Sequence, residues 1–217
     1  MNRIIALVIL LVPTILGIYV YDDLPEQLAI HFGPSGEPDG FQSKGSFLVV
    51  YSLLGIAIVG GLEFFRFIDP KKQNYEKFLR AFSIMRILIA LILSVTFCFL
   101  LVFNLGIETI GPGVFAKLLV GTMWVLIGNY LPQVRDNYFI GIRTPWTLAS
   151  EEVWRKTHRF SGPLWVIAGI VMILMVLVPI TRSSTWPMFI VLGISVIVPT
   201  IYSYIVFRNI GRTNHGA

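Results

Sequence analysis

Between Gly128 and Gly162 the chain reads GNYLPQVRDNYFIGIRTPWTLASEEVWRKTHRFSG, its densest run of side chains able to do chemistry. Asn129, Asn137, Arg143, Thr144 and His158 bring amide, guanidinium, hydroxyl and imidazole groups, with Trp146 and Trp154 among them. Such a set has two uses. It can bridge loop and helix ends by hydrogen bonds, because polar groups taken out of water need partners, or it can receive a binding partner. Gly141 permits a tight turn, and Arg143 carries a rigid fork of donors suited to backbone carbonyls or lipid phosphates. Pro145 should end any regular run before it. Ser150 then reads as a helix N-cap, with Glu151 and Glu152 in the first turn, where the helix dipole favours acids. Glu151 to Arg155 and Glu152 to Lys156 are both i,i+4 pairs with the acid first. The expectation is a short helix from Glu151 to about Arg159 at the membrane interface, with Glu151, Trp154 and His158 on nearly one face. Tryptophans prefer the headgroup zone, so Trp146, Trp154 and Trp165 read as interfacial anchors.

A second polar segment, Asp22 to Lys44, reads DDLPEQLAIHFGPSGEPDGFQSKG. LAIHF alternates like a short strand, and GPSGEPDG is rich in turn formers, so an ordered hairpin is expected. Pro25, His31, Phe32, Gly36, Glu37, Pro38, Asp39 and Gly40 are its candidate binding residues. His31, Glu37 and Asp39 show no recognisable metal-ligand spacing, so turn and surface roles are the reading and no metal is expected. Cys98 is the lone cysteine, which leaves no internal disulfide and no cysteine-built metal site. The three histidines are far apart and no nucleophile constellation is present, so neither catalytic residues nor a cofactor are expected.

These segments hang between apolar stretches. The chain has 217 residues, 55% hydrophobic and 13% charged, with mean hydropathy +0.76. Six stretches approach the length of roughly 20 residues that crosses a bilayer: Ile4–Tyr21, Ser46–Phe65, Phe82–Phe103, Val114–Leu131, Pro163–Ile180 and Trp186–Phe207. They are apolar all round, as lipid-facing helices must be. The predicted fold is all-α, a polytopic membrane protein of six transmembrane helices with the first retained as a signal anchor. Three units follow: residues 1–66 with two spans and the ordered outer loop, 67–112 with the third span, and 113–217 with three spans and the inner loop 132–161. Gly55, Gly60 and Gly61 permit close helix approach in the second span, and Pro13 and Pro199 mark kinks. Arg86 and Glu63 lie near span ends, where snorkelling is cheap. A small-solute or ion channel or transporter is the alternative reading, although no inverted repeat is evident.

Charge fixes an orientation. Arg3, Arg66, Lys71, Lys72, Lys77, Arg80, Arg135, Arg143, Arg155, Lys156, Arg159, Arg208 and Arg212 fall on one side, thirteen of 17 Lys and Arg. The positive-inside rule places that side, and both termini, in the cytoplasm. Asp22, Asp23, Glu26, Glu37, Asp39 and Glu108 make the outer side anionic, able to steer a cationic peptide. The net charge of +5 is topogenic and implies the lipid bilayer as partner, with no direct nucleic acid.

The inner segment, N-x-x-x-G-I-R-T-P-W-T-L followed by E-x-V-W-x-K-T-H-R, resembles the hallmark region of the SdpI family of bacterial toxin-immunity membrane proteins. LPEQLAIHFGPSGEPDGF, after one span, is similar to the domain that often precedes it. The resemblance implies a multi-pass bacterial cell-membrane protein that protects against a secreted, membrane-acting peptide toxin on the outer side. It further implies sensing of that toxin, with a cytoplasmic transcriptional repressor held at the inner face. The motif positions it marks are Asn137, Gly141, Arg143, Thr144, Pro145, Trp146, Thr147, Glu151, Trp154 and Lys156 to Arg159.

Overall fold

The computed structural model describes residues 2–107, 110–182 and 184–215, and within them the side chains from Ile4 to Gly211. The charges read at Arg3, Glu108 and Arg212 lie outside the described side chains. Helix α1 (Asn2–Tyr19) leads through a short 3-10 turn to strands β1 (Gln27–Phe32) and β2 (Pro38–Ser43). Helices α2 (Lys44–Ile68), α3 (Leu79–Asn104) and α4 (Pro112–Tyr130) follow. Then come α5 (Pro145–Ala149), α6 (Glu151–Leu174), α7 (Pro179–Arg182) and α8 (Trp186–His215). Among the described residues α2, α3, α4, α6 and α8 are long and apolar enough to cross a membrane, while α1 is apolar but shorter over Ile4–Tyr19. Their outward faces carry Ile, Leu, Val and Phe, as hydrocarbon as solvent requires.

Two helix groups pack side by side. α1 lies against α3 and α2, α6 lies between α4 and α8, and α3 meets α4. In the first group Ala6, Leu10, Val59 and Ala90 form the apolar seam, and the Ser94 hydroxyl donates to the Ile9 carbonyl at 2.8 Å. In the second, small residues let two backbones touch. A Cβ on Gly128 would stand 2.8 Å from the Gly162 carbonyl oxygen, and one on Gly121 would stand 2.8 Å from that of Gly169. Of the close approaches expected in the second span, the one at Gly55 is met, since a Cβ there would stand 3.0 Å from Leu10 of α1, while those at Gly60 and Gly61 are not. Gly60 has nothing within 4 Å, and Gly61 meets only Phe65 of its own helix. Trp124 and Trp165 stack, and their indole N–H groups donate to Ser195 Oγ at 3.0 Å and Ser195 O at 2.9 Å, tying α4 and α6 to α8.

The hairpin closes one end of the bundle. β1 and β2 are antiparallel, with a bulge near His31 and a turn in which the Gly33 N–H donates to Glu37 O. Gly36 takes φ +87° there, a conformation glycine adopts without steric cost. The Asn104 amide at the end of α3 holds both sides of the Ala29 peptide, accepting from its N–H at 2.8 Å and donating to its carbonyl at 2.9 Å. The Thr185 N–H, just before α8, donates to Pro34 O at 3.0 Å. Strands and turn are therefore an ordered cap, as the alternation predicts.

At the opposite end the inner segment departs from expectation. No separate interfacial helix spans Glu151 to Arg159; those residues are the first turns of α6, which runs on through Pro163. The reason is burial. Val153, Trp154, Thr157, His158, Ser161 and Gly162 are all buried, so the helix emerges along the bundle instead of lying on its surface. The expected fifth span, Pro163–Ile180, correspondingly ends early at Leu174, followed by a 3-10 turn and α7. Ser150 is the N-cap read from the sequence, its hydroxyl accepting from the Val153 N–H. The Glu152–Lys156 pair forms at 2.8 Å.

Because the α4–α6 contact is backbone on backbone, no side-chain rotation can make room at Gly128. Gly128→Ala should lower stability by about 1–3 kcal/mol, read as an earlier thermal melt of the purified protein in detergent. An unchanged melt would mean that the two helices are not this close.

Candidate functional site

Backbone from Val134 to Thr144 is neither helix nor strand and has to find hydrogen-bond partners where it packs on helix ends. Two side chains supply most of them. Asn137 is buried, and its Oδ1 accepts from the N–H groups of Phe139 at 2.9 Å and Ile140 at 2.7 Å, and from the Tyr75 hydroxyl at 3.3 Å. Its Nδ2 donates to the carbonyls of Arg135 at 2.8 Å and Ile140 at 2.9 Å. Asp69, also buried, follows the last residue of α2. Its carboxylate accepts from the N–H of Lys71 at 2.7 Å, the N–H of Tyr138 at 3.0 Å and the Tyr75 hydroxyl at 3.0 Å.

A second layer encloses that node. Asp136 accepts from Lys71 Nζ at 2.8 Å and Asn74 Nδ2 at 2.9 Å. The hydrogen bond to Asp136 holds the Lys71 ammonium charged above the ordinary lysine range. A cation whose folded value is raised contributes fully below its unfolded value and loses its contribution as pH rises through the folded one. The lysine's share of this bridge therefore persists at neutral pH and is lost in strong alkali. Phe139 stacks on Phe65 of α2, with ring centroids 4.8 Å apart.

The motif's second half docks on the first. The Trp154 indole N–H donates to Val134 O at 2.9 Å, and its ring stacks on His158 at 4.2 Å. His158 Nε2 accepts from the Ile142 N–H at 3.0 Å, while Nδ1 donates to the Trp154 carbonyl at 2.9 Å. One nitrogen accepting and one donating defines a neutral imidazole with its proton on Nδ1. Gly141, at φ +115°, passes over this pair; a Cβ there would fall on His158 and come within 3.1 Å of the Trp154 ring. Thr144 and Thr147 form a capping box that starts α5, and Thr144 Oγ1 meets Ser203 Oγ of α8 at 3.0 Å.

The predicted site residues thus divide. Asn137, Gly141, Thr144, Thr147, Trp154 and His158 come together as one hydrogen-bonded knot. Trp154 is 1% exposed, so its expected role as a headgroup anchor is corrected: it is a core residue. Trp146 packs on Tyr204 with Pro145 exposed beside it. Asn129, Glu151 and Arg159 are exposed, and Arg143 is exposed while donating to Tyr138 O at 2.7 Å. At the other end His31 pairs with Asp39 across the hairpin beside Gly40, and Phe32 packs edge-on against Phe103. Pro25 and Glu37 are exposed there, and Pro38 and Gly36 are partly so.

Sequence reasoning missed Asp69, Asn74, Tyr75 and Asp136, and treated Lys71 as topogenic charge alone. A signal was present: an Asp-Pro step ending an apolar helix favours a turn whose carboxylate takes the N–H two residues on. Arg86 and Glu63 do not snorkel as expected. Arg86 is buried and pairs with Glu63. Lys117 is fully buried, donating to Gly113 O at 3.0 Å and Arg182 O at 3.1 Å.

Asp69→Asn replaces one accepting oxygen with an amide that faces donors, and should cost about 1–3 kcal/mol. Limited proteolysis should then cleave between Val134 and Thr144 faster than in the parent protein. Equal cleavage rates would remove Asp69 from the centre of the knot.

Comparison with known proteins gives this geometry a context. Residues 133–203 match the SdpI/YfhL protein family and residues 8–55 match a domain of unknown function, DUF1648. A curated relative, the immunity protein SdpI of Bacillus subtilis (strain 168), is 28% identical over 172 residues, covering 78% of this chain and 79% of the relative. No solved structure matches the chain. The family match extends beyond the motif to Ser203, the residue of α8 that meets Thr144. The chain therefore carries the SdpI/YfhL family region behind a DUF1648 domain, in agreement with the resemblance carried by its inner motif and outer loop.

Proposed function

We propose that this chain is an immunity protein of the bacterial cell membrane, protecting its host against a secreted peptide toxin that acts on the membrane. Its likeness to an immunity protein over most of both chains carries this reading. Two features of the fold support it. An acidic, ordered hairpin caps one end of the bundle, where a cationic peptide would arrive, and the motif knot lies at the basic end. On this reading α1 is the sixth span and both termini face the cytoplasm, as the lysine and arginine distribution favours. Chemistry of the catalytic kind has no place in it.

We further propose that the protein senses the toxin and sequesters a transcriptional repressor at the inner face. The division of the motif supports this: its buried members brace the loop, leaving Arg143, Arg155 and Arg159 exposed beside Glu151 and Glu152. That mixed-charge surface is the part of the motif available to a partner.

One observation favours the alternative of a small-solute or ion channel or transporter. Charged side chains do lie within apolar helices, at Lys117 and at the Glu63–Arg86 pair, and such groups mark ion and solute pathways in many membrane proteins. Here Lys117 joins α4 to the end of α7 and Arg86 joins α3 to α2. Both contacts serve packing directly. Solute flux above that of protein-free vesicles would favour transport.

Expression of the gene in a toxin-sensitive strain should raise survival under challenge; equal killing with and without it would sink the immunity reading. A reporter fused near Thr147 should be active only in the cytoplasm, and periplasmic activity would invert the orientation. Arg143→Ala removes a side chain that is exposed and makes one backbone hydrogen bond. It should abolish toxin-dependent co-purification of a repressor while folding normally, and undiminished recruitment would place the docking surface elsewhere.

A further inference from the structure

Two hollows meet at the Glu63–Arg86 ion pair. One, about 300 Å³, is apolar, lined by Leu62, Met85, Ile89, Ile127, Phe139 and Trp165 among others, with Arg86 as the charged group in its wall. The other, about 720 Å³, is mixed in character, with Glu63, Arg66, Lys72, Gln73 and Glu76 beside two phenylalanines. Phe82 joins the two: it lines the apolar hollow, and the guanidinium carbons of Arg66 and Arg86 each stand 5.8 Å from its ring centroid. Phe64 and Phe67, 59% and 73% exposed, line the larger hollow where it opens onto the apolar surface of α2.

We propose that this seam binds an anionic glycerophospholipid, its phosphate at Arg66 and Arg86 and one acyl chain in the apolar hollow. The shape of the chemistry selects the occupant. A free phosphate would use the cations and leave the apolar hollow unfilled, and a neutral hydrocarbon would do the reverse. An anionic amphiphile uses both, and basic pockets between helix ends recognise such headgroups. The cations here are Arg66, Arg86 and Lys72, set against the carboxylates of Glu63 and Glu76. Sidedness matters only for the choice of leaflet, which the proposed orientation makes the cytoplasmic one. The acyl chain would touch both helix groups, because Leu62 and Met85 belong to α2 and α3 while Ile127 belongs to α4 and Phe139 to the motif loop. Lipid would thus be a structural third party between the two helix groups, touching the motif directly through Phe139, Ile140 and Gly141.

Native mass spectrometry of the full chain in detergent, offered phosphatidylglycerol and phosphatidylcholine with identical acyl chains, tests this. The parent protein should retain phosphatidylglycerol preferentially, by roughly five-fold for each cation engaged. Arg66→Gln should move the ratio toward one, and Ile89→Trp, which fills the hollow, should lower occupancy by both lipids. Should either variant fail to fold, Lys72→Gln and Leu62→Trp ask the same two questions. Equal retention of the two lipids by the parent, a preference that survives loss of the cation, or occupancy unaffected by filling the hollow would each overturn the proposal.

Discussion

The Asp69 carboxylate and the Asn137 amide act as substitutes for secondary structure, and the motif end of the bundle depends on them. Between α4 and α5 the backbone forms neither continuous helix nor sheet, yet it packs where water cannot serve every donor. Asn137 resolves this by behaving as a folded-in peptide group: one oxygen takes successive N–H groups, and one nitrogen satisfies two carbonyls. Asp69 does the same from the α2 end, reaching across 69 positions of sequence to the N–H of Tyr138. Together they fasten the segment 131–144 to the connection between α2 and α3. Trp154 and His158 can then dock on it with every ring nitrogen engaged.

The hairpin end repeats the device in simpler form. One side-chain amide, Asn104, binds both polar atoms of the Ala29 peptide, and so a hairpin with little core of its own is held on α3. Phe32 contributes apolar area against Phe99 and Phe103 in the same place. An isolated two-stranded hairpin is marginal in water. Its order here comes from those anchors and from Thr185, which joins it to the other helix group. The hairpin and the segment before α5 are thus both pinned by side chains that imitate backbone.

Composition and periodicity made the helices legible, because a lipid solvent leaves few alternatives for long apolar runs. The hairpin was legible from alternation and turn residues, and the Ser150 cap from its position before two glutamates. The continuity of α6 was not. Pro163 and the tryptophans read locally as a break and an interface, whereas the burial of Trp154 and Ser161 is a tertiary fact. Asp69 was hidden for the same reason. The Asp-Pro step marks the local turn to Lys71, but no local pattern marks the contact with Tyr138, whose position lies far along the chain. Glycine spacing found Gly55, which meets Leu10, but missed the tighter contact: Gly60 and Gly61 meet no other helix, while Gly128 and Gly162 face each other.

The arrangement also constrains how the proposed outer and inner activities would be joined. Like α8, which is held through Thr185 and Ser203, α2 and α3 have an anchor at each end. Asn104 and the β2–α2 junction tie them to the hairpin, and Asp69 and Tyr75 tie them to the motif loop. The α4–α6 contact, backbone against backbone, admits little sliding without steric cost. A displacement produced at the hairpin could therefore be carried by α2 and α3, or by α8, moving against α4 and α6. Carried by α2 and α3, it would be felt first where those groups share few direct contacts, at the seam of Phe82, Phe139 and Trp165. That seam is walled on one side by the buried Arg86–Glu63 pair and on the other by the motif's own backbone. A change there has two direct readouts, the packing of Phe139 on Phe65 and the registration of Gly141 over His158. The exposed arginines of the motif ride on both.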